Sequence, residues 1–144
     1  ALSGITKPTL KKLGGEAFCF MAEPEIAEKA KLDGTTRAVA SVSYASEKYP
    51  NAVFAVGNAP TALIKLSELI REGFRPSLVI GVPVGFVNVV ESKEEIFELC
   101  KEKGIPAIVA KGRKGGSNVA AAICNALLYA AGDLTDPSKR GWRG

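Results

Sequence analysis

The chain has 144 residues, 47% hydrophobic and 24% charged, which suits one domain with its own core. Its formal charge of +4 comes from lysines and arginines interleaved with glutamates, so an anionic small molecule is favoured at least as much as nucleic acid. It contains no histidine, which excludes Ser-His and Cys-His nucleophilic chemistry and removes the commonest general base near neutral pH.

The predicted elements alternate between two periods. "EAFCFM" (16–21) has the pattern of a short strand, and "PEIAEKAKL" (24–32) that of a helix with Ile26, Ala27 and Ala30 on one side. A helix at 35–49 opens on a threonine cap and closes before Pro50. "AVFAVG" (52–57) is a continuous apolar run of buried-strand type. "PTALIKLSELIREG" (60–73) follows as a helix with Leu63, Leu66 and Ile70 aligned, Pro60 at its start and Gly73 at its stop. "SLVIGV" (77–82) is a strand, "SKEEIFELCKEKG" (92–104) a helix opened by an S-x-x-E box at Ser92 and Glu95, and "PAIVA" (106–110) a strand. The helix at 118–132 is too apolar all round to lie on the surface.

Strands and helices joined by short connections predict an α/β fold: a three-layer sandwich with a mostly parallel sheet and helices on both faces. One domain spans 1–132, and 133–144 form a polar tail rich in structure breakers. Cys19, Cys100 and Cys124 are too scattered for a disulfide framework or a zinc site, which points to a reducing compartment and no metal. With neither a membrane-length apolar run nor a basic-then-apolar leader, the expectation is a soluble, cytoplasmic protein that binds neither membrane nor nucleic acid.

Ligands of such sheets bind beyond the carboxyl ends of the strands, where three unusual loops fall: "GNAPT" (57–61), "PVGFVNVVES" (83–92) and "KGRKGGS" (111–117). The last matches neither a Walker loop nor a dinucleotide fingerprint, because no Lys precedes Ser117 and the glycines at 112, 115 and 116 are wrongly spaced. It still suits an anion. Gly115 and Gly116 allow close backbone approach, Ser117 can cap the helix that follows, and Lys111, Arg113 and Lys114 supply charge. A tight turn with solvated lysines is the plain alternative. Asn58 and Thr61 could each bond a ligand, or serve only the turn and the helix start. Phe86 is either core or the floor of a flat apolar site, and Arg37 suits a carboxylate partner, either from a ligand or from Glu91 within the chain. Lys65 fits a solvated helix face better than a Schiff base.

Together, "GTTRA" (34–38), "VGNAPTAL" (56–63), "VIGVPVGFVNVVESKE" (79–94) and "GRKGGSNVAAAICNALL" (112–128) resemble the precorrin-8X methylmutase family of corrinoid biosynthesis. The resemblance runs through nearly the whole chain. It implies an isomerase that moves a methyl group between adjacent ring carbons of precorrin-8X, or of its cobalt form, without a cofactor and as a homodimer. The implied substrate is an acidic tetrapyrrole, apolar on its faces and carboxylate-rimmed. Arg37, Asn58, Thr61, Arg113 and Ser117 stand at positions matching the family motifs and suit the carboxylate edge, and Pro83, Val84 and Phe86 suit a face; Thr36, Gly57, Ala59, Gly85, Lys111, Gly115 and Gly116 complete the candidate binding set. The family also implies an amino-terminal segment bearing a histidine that protonates the macrocycle, which this sequence lacks. No catalytic residue is therefore assigned, and three expectations stand: the sequence is a piece of a longer protein, a separate polypeptide supplies the missing part, or the chain is a non-catalytic tetrapyrrole-binding or carrier module.

Overall fold

A computed structural model of the chain describes residues 18–20, 23–85 and 88–131. Three parallel strands, β1 (Val53–Val56), β2 (Leu78–Gly81) and β3 (Ala107–Val109), lie side by side in chain order. Val53 pairs with Leu78 and Val56 with Gly81, and in turn Gly81 pairs with Val109, so all three strands end at one level. Among the described residues five helices accompany the sheet: α1 (Pro24–Asp33), α2 (Arg37–Lys48), α3 (Pro60–Arg71), α4 (Val89–Lys103) and α5 (Ser117–Ala131).

Alternation along the strands builds two cores. Phe54, Val56 and Val79 face a larger cluster with Leu63, Leu66 and Ile70 of α3 and Ile96, Leu99 and Cys100 of α4. On the opposite face Ile80 and Val82 pack against Ala120, Ile123 and Cys124 of α5. Helices thus cover both faces of a parallel sheet, as the sequence pattern predicts.

Several boundaries differ from expectation. Phe18–Phe20 belong to no strand, and the rest of the predicted 16–21 strand lies outside the described residues. Phe18 instead stacks on Tyr49 at 4.8 Å between ring centroids, and Phe20 meets Tyr44 edge to face at 4.9 Å, so the aromatics are satisfied against α2. The predicted S-x-x-E box does not start α4. That helix begins a turn earlier, after Asn88, because Val89 is buried in the core. Ser92 then lies inside it, donating to the Val89 carbonyl at 3.0 Å, and Glu95 pairs with Arg71 at 2.5 Å. Thr36 does cap α2, accepting from the Val39 N–H at 3.2 Å. In α5 only Ala120 and Ala121 are buried, while Val119 and Leu127 stand exposed. Contrary to expectation, this apolar helix lies at the surface of the single chain.

Candidate functional site

The sequence puts a breaker-rich loop after each strand, and the common level of the three strand ends brings those loops together. At the end of β1, Gly57 lies so close to the start of α5 that a Cβ built on it would sit 2.9 Å from the Ser117 Cα. Beside it the Asn58 side-chain amide donates to the Ser117 hydroxyl at 2.6 Å. Asn58 does not take the left-handed turn conformation, so its side chain serves the contact with Ser117 rather than the turn alone. At the end of β2, the Val82 carbonyl accepts from the Gly116 N–H at 2.7 Å. Gly115 has φ +157, and a Cβ there would collide with that same carbonyl, so only glycine fits.

The middle loop closes the rim. A Cβ on Gly85 would lie 3.4 Å from both Pro60 and Val89, which wedges this loop between the starts of α3 and α4. Pro83 is fully buried and shapes the loop without offering a surface, whereas Val84 is half-buried near Gly116. Phe86 lies outside the described residues. Ala59 packs half-buried against the larger core, and Thr61 is exposed on the first turn of α3.

The basic residues singled out in the sequence fall in four places. Arg113 is exposed on the α5 loop. The Lys111 ammonium lies 4.3 Å from the centroid of the Phe97 ring on α4, a cation–π contact that steers it along that helix. Arg37 is exposed at the start of α2, and among the described residues it makes no ion pair with Glu91. Nor does any hydrogen bond among the described residues tie Thr36 or Arg37 to the rim loops, and the Thr36 hydroxyl is occupied as a cap. Lys65 pairs with Glu68 at 3.5 Å on the face of α3, as a solvated helix face requires.

One residue held against the rim escaped the sequence reading. Lys93 of α4 is fully buried, and its ammonium donates to the carbonyls of Gly112 at 2.9 Å and Lys114 at 2.8 Å. Burial pushes it below the usual lysine range. The signal was available: Lys93 shares a helical face with Val89, Ile96 and Cys100, all buried. Among the described residues no carboxylate pairs with it.

Chemically, the assembled rim offers an amide, hydroxyls, cations and the first N–H groups of α5, a set suited to the carboxylates of an anion. Burial pushes the Cys100 thiol up to about 11 and raises that of Cys124 as well, so neither is an activated nucleophile. Among the described residues no cluster of metal-ligating side chains occurs, and no helix is long and apolar enough to cross a membrane.

Comparison with known proteins bears on this rim. Residues 1–130 match the family described as precorrin-8X methylmutase. The chain is 49% identical over 130 residues to the cobalt-precorrin-8 methylmutase of Salmonella typhimurium, a match covering 90% of this chain and 59% of that protein. It is 43% identical over 147 residues to the cobalt-precorrin-8 methylmutase of Leptospira interrogans, covering 99% of this chain and 64% of that protein. The solved structure of precorrin-8X methylmutase from Thermus thermophilus superimposes with a TM-score of 0.79 at 43% identity, over 91% of this chain and 62% of that one. The chain therefore spans roughly three-fifths of the length of the relatives it matches. With a family model matching residues 1–130 and relatives 43–49% identical over nearly all of it, the chain belongs to the precorrin-8X methylmutase family.

Proposed function

We propose that this chain forms the macrocycle-binding part of an isomerase that moves a methyl group between adjacent ring carbons of precorrin-8X or its cobalt form, giving a hydrogenobyrinate-type product. The observation that carries the reading is the meeting of the three strand-end loops at one end of the sheet, in a chain of this family, around Asn58, Ser117 and the glycines at 57, 115 and 116. Glycine lets the backbone of the α5 loop lie close to a flat ligand, and the N-terminal end of α5 favours its carboxylates. Arg113 and Lys111 supply cations at the edge, and Val84 supplies apolar surface.

A methyl migration leaves the atom count unchanged, so the protein has to bind and orient the macrocycle, and any proton it lends to promote the shift has to be taken back afterwards. The described rim binds and orients. It contains no imidazole, since the sequence has no histidine, and we assign none of its residues as the proton donor. We further infer a homodimer, supported by the uncovered apolar side of α5, and a cytoplasmic protein with neither a membrane nor a nucleic acid as partner.

Absorbance titration with hydrogenobyrinic acid and with its all-amide derivative tests the reading. Tighter binding of the acid supports it, and equal binding of the two removes carboxylate recognition. Conversion of precorrin-8X, followed by its absorbance change, separates the isomerase from a carrier: a longer form of the protein that binds the macrocycle without ever converting it would make it a carrier.

A further inference from the structure

Lys93 is the largest side chain that is fully buried, and it is a cation without a carboxylate partner among the described residues. A buried charge is costly, and a neutral donor of similar length would tie a helix to a loop at lower cost. What a neutral donor cannot supply is positive charge at this place. Two of the three ammonium protons are engaged by the Gly112 and Lys114 carbonyls, which come from alternate peptides of the loop between β3 and α5.

That pairing fixes the other side of the loop. No peptide among the described residues is cis, and in a trans peptide the N–H points opposite the carbonyl it is bonded to. With the Gly112 and Lys114 carbonyls drawn to Lys93, the N–H groups of Arg113 and Gly115 are turned away from it. Neither donates to a backbone carbonyl among the described residues. Gly112 at φ +84 and Gly115 at φ +157 supply the conformations this alternation needs. The next N–H, that of Gly116, is taken by Val82 and anchors the loop to the sheet.

We propose that Lys93 is a positioning residue for anion recognition: from behind the loop it holds two carbonyls inward, turning the Arg113 and Gly115 N–H groups outward as donors to a ligand carboxylate and placing a positive charge beneath them. This rests on the macrocycle-binding reading above and deepens it by naming what preorganises the loop. Preorganised donors lose little freedom on binding, and a charge in a low-dielectric setting acts on an anion more strongly than one in water.

The test has two arms. In the ligand-free wild-type protein, nitrogen-15 NMR of the lysine side chains should show one slowly exchanging ammonium signal that couples to the Gly112 and Lys114 carbonyl carbons and vanishes in Lys93→Met. No such signal would overturn the clamp, whatever the ligand. In the second arm, Lys93→Gln keeps donors but removes charge, and Lys93→Met keeps only the stem. Both should fold and lose tenfold or more in affinity for hydrogenobyrinic acid, with less than twofold change for the all-amide derivative. If wild type prefers the acid and Lys93→Gln keeps that preference, the charge of Lys93 is irrelevant and the proposal fails. Equal binding of acid and amide by wild type would instead remove the carboxylate reading on which it rests, while the NMR arm still decides the clamp. Parallel loss of acid and amide binding in both variants marks a merely structural role and also overturns it.

Discussion

The side-chain amide of Asn58 and the hydroxyl of Ser117, 59 residues apart in sequence, meet at 2.6 Å where the end of β1 touches the start of α5. The bond is exposed, so its worth to folding is small, about 0.5–1.5 kcal/mol. Asn58→Ala and Ser117→Ala should each lower stability by about that amount in urea denaturation. The double variant should lose less than the sum, since the two partners share one interaction. Both single variants should also weaken macrocycle binding, because the bond sets the spacing of two loops that line the same rim.

Gly115 and Gly112 lie three residues apart, both at positive φ, and differ in what surrounds them. A Cβ on Gly115 would strike the Val82 carbonyl, whereas one on Gly112 would meet nothing within 4 Å. Gly112→Ala should therefore cost only backbone strain, about 1 kcal/mol. Gly115→Ala adds a collision with a backbone that also accepts the Gly116 N–H, and it should cost roughly 2–4 kcal/mol. Comparing the two denaturation midpoints checks this; equal losses would mean that the contact with β2 is unimportant.

How much of this was legible in the sequence depends on the range of the force involved. The three strands were visible because each is a short apolar run between breakers, and that property is local; in β1 the run is covered on one face only, with Val53 and Ala55 exposed. The start of α4 was not, because two short-range signals competed. Ser92 and Glu95 imitate a capping box, but burial of Val89 carries the helix back a turn and leaves Ser92 to bond within it. The rim loops could be located by their glycines, yet which loop touches which is a tertiary fact. Asn58 meeting Ser117, and Gly115 fitting under Val82, follow from strand register and not from any motif. Lys93 was missed because a lysine is normally read as solvated; its place on a buried helical face was the cue.

The pH dependence of stability carries a signature of Cys100. Its thiol is fully buried and pushed up from 9.0 to about 11 by burial, so the folded state holds this proton more tightly than the unfolded one. A raised folded value means that the contribution is complete below pH 9.0 and is lost as pH rises through about 11. Its full size is about 2–3 kcal/mol, from the spacing of the two values. Lys93, whose value burial lowers, contributes with the opposite sign as pH approaches 10.5, so wild type alone would mix the two. The stability difference between wild type and Cys100→Ala isolates the cysteine, and it should shrink between pH 9 and 11. Below pH 9 a thiol reagent should label exposed Cys19 well before Cys100.

The exposed side of α5 predicts self-association. Val119 and Leu127 are each 38% exposed on a helix with no acidic residue in its first turn and no basic residue in its last, so water meets apolar surface along it. Sedimentation at micromolar concentration should show a dimer or higher species, and Leu127→Glu should shift it toward the 15.1 kDa monomer. Compared with wild type at a dilution where both are monomeric, the variant should keep its unfolding free energy to within about 0.5 kcal/mol, because this side chain is not part of the core. A single species of monomer mass for wild type would exclude the dimer.

Arg113 gives the sharpest test of what the rim recognises. It is exposed, makes no ion pair among the described residues and rides on a loop held from behind by Lys93, so its guanidinium is available to an incoming carboxylate. Arg113→Ala should weaken hydrogenobyrinic acid by about 1–3 kcal/mol, the scale of a charged hydrogen bond, and barely change the all-amide derivative. Arg113→Lys should recover only part of the loss, since an ammonium offers charge without the two-pronged geometry. Stability should not move, because the side chain contributes no buried contact. Equal losses for acid and amide would assign Arg113 to general packing against the macrocycle, and an unchanged acid affinity would place the carboxylate contacts elsewhere on the rim.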